Sequence, residues 1–131
     1  MAVDLRMKIL LVERYSSTRK IVRDLLQRLG FTNVTVETDA TGALSKLREG
    51  YNEPYSLVIS NWSIEPVSGA ELLQSIRADN KLKDTPFLML LGQTNTNDVI
   101  TSEKVDLYQS LVMPFNDATL KTKLVAILGD F

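Results

Sequence analysis

Neither cysteine nor histidine occurs anywhere in this sequence of 131 residues. The chain therefore cannot form a disulfide, an ordinary zinc site, a Ser-His or Cys-His nucleophile pair, or a phosphohistidine. An excess of charge of one sign is lacking too, since 15 Lys and Arg stand against 16 Asp and Glu, a formal net charge of -1. Because no overall field would draw such a protein to nucleic acid or to an anionic membrane, neither is expected as a partner.

Long hydrophobic runs are also missing. No stretch of about twenty apolar residues is present to span a bilayer, and the opening residues lack the features of a signal peptide. We therefore expect a cytoplasmic protein. Hydrophobic residues make up 44% of the chain, which is enough for one compact core. No linker, repeat or change of composition divides the sequence, so residues 1–131 are predicted to form one domain.

Short apolar runs alternate with amphipathic segments along the chain. Strands are predicted at residues 7–12, 34–38, 56–60, 87–91 and 110–113. Helical patterns follow at residues 16–30, 41–48, 70–78 and roughly 97–108, and a last one starts from a cap at Asp117 and ends near 128. Five such pairs predict an α/β fold, a doubly wound (βα)5 domain whose flavodoxin-like parallel sheet has the order 2-1-3-4-5.

Four segments of the sequence resemble the CheY-like receiver domains of chemotaxis response regulators. They are LLVERYSSTRKIVRDLLQRLGFTNV, LVISNWSIEPVSGAELLQSIRAD, PFLMLLG and LVMPF, and their order and spacing match. The resemblance covers nearly the whole chain. In that family an acidic pair follows the first strand, an Asp ending the third strand accepts phosphate, a Ser or Thr ends the fourth, and a Lys precedes Pro after the fifth.

This sequence departs from the family pattern at every one of those positions. The resemblance places there Glu13 with Arg14, then Asn61, Leu91 and Met113. A neutral amide is a poor nucleophile and cannot form an acyl phosphate, and an arginine adds a permanent cation where a metal-binding acid is usual. The resemblance thus implies a degenerate phosphorylation site, with no catalytic residue, no cofactor and no metal ion expected.

Two local features follow from the same comparison. We predict that Arg14 lies where the metal ion would sit and donates a hydrogen bond to Asn61 or to a nearby carbonyl. The Met113-Pro114 bond is expected to be cis, because the family has a cis bond at this place. A cation held jointly by Glu13 and Glu65 remains an alternative.

A surface for protein partners is implied as well. Receivers bind targets through the face formed by the fourth helix, fifth strand and fifth helix, which corresponds here to roughly residues 98–128. The candidate partner residues are Trp62, Val99, Val105, Tyr108 and Ser110. For the tryptophan, local packing is the more expected role, and a partner contact is the alternative.

The first predicted helix carries four basic residues on its polar side: Arg19, Lys20, Arg23 and Arg28. Such a set can meet an acidic partner or a phosphate. A solvated helix face is nevertheless the expected interpretation.

We interpret the chain as a non-enzymatic pseudo-receiver. Its predicted role is phosphorylation-independent binding of a protein partner, such as a signalling kinase, motor or effector component, in a two-component or chemotaxis-like pathway. Two alternatives stay open. One is a flavodoxin-like domain that binds a small ligand or nucleotide, with a phosphate at residues 16–18 on a helix N-terminus. The other is a receiver phosphorylated at a non-standard residue such as Ser60 or Ser63.

Overall fold

Strands and helices alternate along residues 3–64, 68–92 and 110–131, which are the parts of the chain described by this computed structural model. The strands are β1 (Ile9–Val12), β2 (Val34–Glu37), β3 (Leu57–Asn61), β4 (Phe87–Leu91) and β5 (Ser110–Val112). The helices are α1 (Ser16–Arg28), α2 (Ala40–Glu49), α3 (Gly69–Ala78) and α4 (Asp117–Leu128). The helix predicted near residues 97–108 lies outside these ranges. Within them, no helix is long and apolar enough to cross a membrane.

The five strands form one parallel sheet in the order β2-β1-β3-β4-β5. Every residue of β1 and β4 is buried, as expected for strands covered on both faces. The predicted α/β class and strand order are confirmed. From β1 the chain goes outward to β2 and then crosses back past β1 to form β3. The carboxyl ends of β1 and β3 therefore lie side by side, at the topological switch point of the sheet. Folds of this kind bind ligands at that point.

Core side chains divide between the two faces of the sheet, since successive residues of a strand point in opposite directions. Leu10 and Val12 pack with the buried residues of α2 and α3. Ile9 and Leu11 pack with those of α1 and α4. The sheet is therefore sandwiched between two apolar layers, and each layer adds its own hydrophobic stabilisation.

The starts of the helices follow ordinary capping chemistry, with one exception. Asp39, Ser68 and Asn116 precede α2, α3 and α4, and each side chain accepts a hydrogen bond from the backbone N–H three residues later. The predicted cap at Asp117 is therefore one residue late; this residue lies in the first turn, where an acid favours the positive end of the helix. Tyr15 precedes α1 and makes no side-chain capping bond.

A polar contact joins the ends of α2 and α3. The Tyr51 hydroxyl donates a hydrogen bond of 2.8 Å to Asp79 Oδ2, and Arg48 Nε lies 3.8 Å from the same oxygen. This hydrogen bond raises the pKa of Tyr51, while the backbone N–H of Lys81, followed by the Tyr51 hydroxyl, lowers the pKa of Asp79. Since each helix runs back along the sheet, this corner lies at the amino edge, away from the switch point.

Candidate functional site

Glu13 and Asn61 meet at the carboxyl edge of the sheet because the strands that carry them are neighbours. Glu13 directly follows β1 and is fully buried, while Asn61 is the last residue of β3. β1 and β3 pair in parallel from Ile9 with Leu57 to Val12 with Ser60. The two strands end at the same edge of the sheet, which brings the side chains of Glu13 and Asn61 together.

A short hydrogen bond connects these two side chains. Asn61 Nδ2 donates to Glu13 Oε2 at 2.6 Å, and the other carboxylate oxygen accepts the backbone N–H of Tyr15 at 3.1 Å. The amide oxygen of Asn61 accepts the backbone N–H of Ser63 at 3.1 Å. A buried carboxylate is costly unless its oxygens are hydrogen-bonded. Both oxygens of Glu13 have such a partner, so the pocket is satisfied by protein groups.

The arginine beside this pair differs from the prediction. Arg14 is exposed, and its guanidinium carbon lies 5.1 Å from the centre of the Tyr15 ring. The Asn61 side chain is hydrogen-bonded to Glu13 and to the backbone of Ser63.

Arg19 is a neighbour of the site that sequence reasoning missed. Its Nη1 donates to the backbone carbonyls of Glu13 and Arg14, both at 3.0 Å, and so fastens the loop between β1 and α1. A helical side chain leans toward the N-terminus of its helix, and Arg19 lies in the first turn of α1. The sequence did contain a signal for this contact, because a long basic side chain in the first turn of a helix that closely follows a strand can reach back to the loop between them.

Leu91 and Met113 hold the other two positions of the predicted degenerate site. Leu91 ends β4, is 1% exposed and packs in the core on the α2 and α3 side. Met113 packs against the core of the α1 and α4 side, and its backbone N–H donates to the Leu91 carbonyl at 2.7 Å. The Met113-Pro114 bond is cis, as predicted. The Leu91 and Met113 side chains at this edge of the sheet are therefore apolar, and they carry neither a hydroxyl nor an ammonium group.

These residues do not fit the Mg²⁺ ion that the family resemblance implies. Mg²⁺ binds hard oxygen ligands, usually with one or two carboxylates among them. Here the Glu13 carboxylate faces the nitrogen of the Asn61 amide, and the amide oxygen faces a backbone N–H. Among residues 3–64, 68–92 and 110–131, no group of three or more acidic, His or Cys side chains is arranged to hold a metal ion. Glu65, the alternative ligand, lies outside these ranges.

The two serines considered as substitute acceptors are part of the same loop. Ser60 is fully buried in β3, and its hydroxyl donates to the Asn61 carbonyl at 3.0 Å. Ser63 uses its backbone N–H to hold the Asn61 amide oxygen. A serine attacks phosphorus only when a base can take its proton. The proton of the Ser60 hydroxyl is directed to a backbone carbonyl, which is not such a base.

The candidate partner residues have different outcomes. Val99, Val105 and Tyr108 lie outside the described residues. Trp62 is half-buried and packs against the core on the α2 and α3 side. Ser110 is only 8% exposed, which corrects its predicted place on a surface, because it lies in β5 paired with Met89 of β4.

A groove of about 350 Å³ separates the polar side of α1 from β2. Its α1 wall includes the basic side chains of Arg19, Lys20 and Arg23, and its other wall includes Thr32 and Val34. The sequence predicted a solvated helix face here. Lys20, Arg23 and Arg28 are exposed, as that prediction requires, and three of the four basic residues also form one wall of a concave surface, which we call the α1–β2 groove.

Comparison with known proteins gives a consistent family match. The family model for the response regulator receiver domain matches residues 9–125. Chemotaxis protein CheY-3 of Vibrio cholerae is 37% identical over 118 residues, covering 90% of this chain and 88% of the relative. Chemotaxis protein CheY of Pseudomonas aeruginosa is 34% identical over 121 residues, covering 92% and 95%. The solved structure of the chemotaxis response regulator CheY4 of Vibrio cholerae superposes with a TM-score of 0.77 at 29% identity, covering 93% of this chain and 99% of that one.

Proposed function

The chain belongs to the response regulator receiver family, and we propose that it is a chemotaxis-type receiver that accepts no phosphate and acts by binding a protein partner. The observation that carries this proposal is the 2.6 Å hydrogen bond from Asn61 Nδ2 to Glu13 Oε2. It occupies the end of β3, where the family resemblance implies an acceptor carboxylate and a metal ion.

The chemistry of phosphoryl transfer supports the proposal. An acyl phosphate forms when a carboxylate oxygen attacks phosphorus, whereas an amide has almost no nucleophilic character at either heteroatom. Leu91 is buried in the core and Met113 is apolar, so neither can stabilise the charge that develops on a transferring phosphoryl group. The acceptor and two stabilising contacts are therefore lost together.

The state of the pocket supports constitutive binding. Both oxygens of the buried Glu13 carboxylate are hydrogen-bonded to protein groups, so neither phosphate nor a cation is needed to balance this charge. In the proposed function, residues 1–131 work as one cytoplasmic, non-enzymatic domain in a chemotaxis-like or two-component pathway. The partner is a signalling protein such as a kinase, a motor component or an effector.

Intact-mass measurement tests the proposal directly. The protein is incubated with Mg²⁺ and acetyl phosphate, and Trp62 fluorescence is followed in parallel on addition of beryllofluoride. We expect no added phosphoryl mass and no fluorescence change, because the acceptor is an amide. A stable phosphate adduct on the unaltered chain would overturn the proposal, and peptide mapping would then identify the acceptor.

A graded set of variants provides the positive control. We expect Asn61→Asp alone to remain unlabelled, since Arg14 still opposes the metal ion and two transition-state contacts are still missing. The combined variant with Arg14→Asp, Asn61→Asp, Leu91→Thr and Met113→Lys is expected to gain a phosphoryl group, which shows that the scaffold and the assay are competent. Full labelling of the single variant would mean that position 61 alone had been decisive.

A further inference from the structure

We propose that the α1–β2 groove is a docking site for an acidic segment of a protein partner, bound in extended conformation as a strand added to β2. This inference rests on the proposed function, because it locates a partner that binds without phosphorylation. Three observations carry it: the charge of the groove, the position of β2 at the end of the strand order, and the way in which Arg19 is held.

The groove concentrates positive charge on a molecule that has no excess of it. Arg19, Lys20 and Arg23 line it together with a single acid, Asp24, while the whole chain has a formal net charge of -1. Arg23 lies three residues after Lys20 and four after Arg19, which places the three basic residues on one side of the helix. A partner with carboxylates at regular intervals would complement this wall, and charge complementarity of this kind selects partners and their register.

The other wall of the groove belongs to an edge strand. β2 stands at one end of the strand order and pairs with β1. The carbonyls of Asn33 and Glu37 face β1, where they accept backbone N–H groups. The alternation along a parallel strand then turns the N–H and C=O groups of Val34 and Val36 away from β1, toward the edge. Such outward groups are a template for an added strand.

The side chains of an added strand would meet the basic wall. Val34 and Val36 pack on the core of the α1 and α4 side, which is the side of the groove. Residues of an added strand that lie level with them point to the same face of the sheet. Alternate residues of the partner would therefore project over the groove. Acidic residues at every second position give the best match to Lys20 and Arg23.

Arg19 is already oriented for this task. Two carbonyls of the β1–α1 loop hold its Nη1 atom at 3.0 Å. A guanidinium has five N–H donors, so donors remain for an incoming carboxylate. Because the side chain is fixed before binding, less conformational entropy is lost when the carboxylate arrives.

Fluorescence anisotropy with the full chain tests the inference. The probe is a labelled eight-residue peptide in which Glu and Val alternate, and the comparison peptide alternates Lys and Val. We expect saturable binding of the acidic peptide and none of the basic one. In ¹⁵N-labelled protein, the backbone amide signals of Val34 and Val36 should shift on binding, since those groups would donate to or lie beside the added strand.

A matched pair of variants separates the groove from general electrostatics. Arg23→Glu reverses a charge inside the groove, and we expect it to weaken binding about tenfold or more. Arg28→Glu makes the same charge change on an exposed residue of the same helix that does not line the groove. That variant should keep the affinity within about twofold.

Besides absent binding of the acidic peptide, three results would overturn the inference. Equal weakening by both variants would mean attraction to net charge alone. Binding without a shift at Val34 and Val36 would exclude strand addition, and complete displacement by inorganic tripolyphosphate under those conditions would indicate a small-anion site instead. The inference and the proposed function can fail separately. If the peptide does not bind and no phosphate adduct forms, only the inference is refuted. If a phosphate adduct forms on a chain that still binds the peptide, only phosphorylation independence is refuted.

Discussion

At the switch point of the sheet, the side-chain amide of Asn61 lies beside the buried carboxylate of Glu13 and stabilises its negative charge. Glu13 is fully buried, and a buried carboxylate needs a cation or several donors near it. Asn has nearly the shape of Asp but carries two N–H donors, so Asn61 can stand beside Glu13 without repulsion and donate to it at 2.6 Å. In the proposed function, the residue that stands in place of a phosphate acceptor thus also supplies a hydrogen bond to the buried carboxylate.

Asn61→Asp is expected to destabilise the fold at neutral pH. The substitution puts a second carboxylate oxygen where the Asn61 nitrogen now lies, 2.6 Å from Glu13 Oε2. We expect the free energy of unfolding at pH 7.5 to fall by about 2 kcal/mol. The introduced carboxyl group lies beside a like charge and so takes up a proton more readily in the folded chain than in the unfolded chain. Stability therefore falls as pH rises, and the deficit should shrink toward about pH 5. Urea denaturation followed by circular dichroism measures both quantities.

Asn52→Asp is the matched control for that variant. Asn52 is exposed, so the same change of charge should alter the free energy of unfolding by less than about 0.5 kcal/mol and add no pH trend. An equal deficit in both variants, or a deficit in Asn61→Asp that is independent of pH, would contradict the proposed contact between the two carboxylates.

For single residues, the sequence predicts where a site residue lies in the fold better than it predicts which group that residue hydrogen-bonds. The family resemblance placed Glu13 and Asn61 correctly at neighbouring strand ends, because the strand order decides which residues meet. It did not predict that the amide nitrogen faces the carboxylate, since that depends on which donors compete in the folded pocket. For the same reason Arg19, five residues beyond Arg14 in sequence, was missed as the cation that holds the loop carbonyls.

The end of β3 and the start of α3 meet through a direct backbone contact close to Asn61. Ser68 caps α3, and the backbone N–H of Gly69 donates to the Trp62 carbonyl at 2.8 Å. This bond brings the start of the helix against the end of the strand. A Cβ at position 69 would lie 2.5 Å from the Asn61 carbonyl oxygen and 2.7 Å from Met89 Sδ, which is too close for either pair of atoms. A side chain is therefore excluded by the approach of the backbone.

Gly69→Ala is expected to strain this connection and move Asn61. The sulfur of Met89 can shift, but the Asn61 carbonyl is backbone, so the helix and strand must separate slightly. We expect the free energy of unfolding to fall by about 2 kcal/mol, with altered NMR signals of the Asn61 side-chain amide. Gly50→Ala is the control, because its nearest atoms lie at 3.4 Å and its φ is -89°. Comparable losses in the two variants would show that the close approach at Gly69 is not the cause.

Element boundaries were predicted where the pattern is strong and local. The apolar runs of β3 and β4 fixed these strands to within one residue at each end, since buried strands need unbroken hydrophobic sequence. The start of α1 at Ser16 was also predicted, although Tyr15 precedes the helix without a side-chain capping bond, and the end lies two residues earlier than predicted. Neither pattern shows that α1 forms a groove with β2, since that requires the strand order of the whole sheet.

The two apolar layers of the molecule share one sheet, which ties their stabilities together. Leu10 belongs to the layer under α2 and α3, while its neighbour Leu11 belongs to the layer under α1 and α4. The chain contains a single tryptophan, and Trp62 packs on the α2 and α3 side. Its fluorescence therefore reports on one layer, whereas circular dichroism reports on the helices of both.

Leu11→Ala tests whether the domain unfolds as one unit. Leu11 is fully buried, so we expect a loss of about 3 kcal/mol. Because the sheet belongs to both layers, the urea transitions seen by Trp62 fluorescence and by circular dichroism should coincide and move together, as in two-state unfolding. Leu10→Ala, beside the tryptophan layer, should give a similar joint shift. If Leu11→Ala moved the circular dichroism transition and left the fluorescence transition in place, the two faces would be separate cooperative units, and a partner bound along α1 and β2 could not stabilise the layer that contains Trp62.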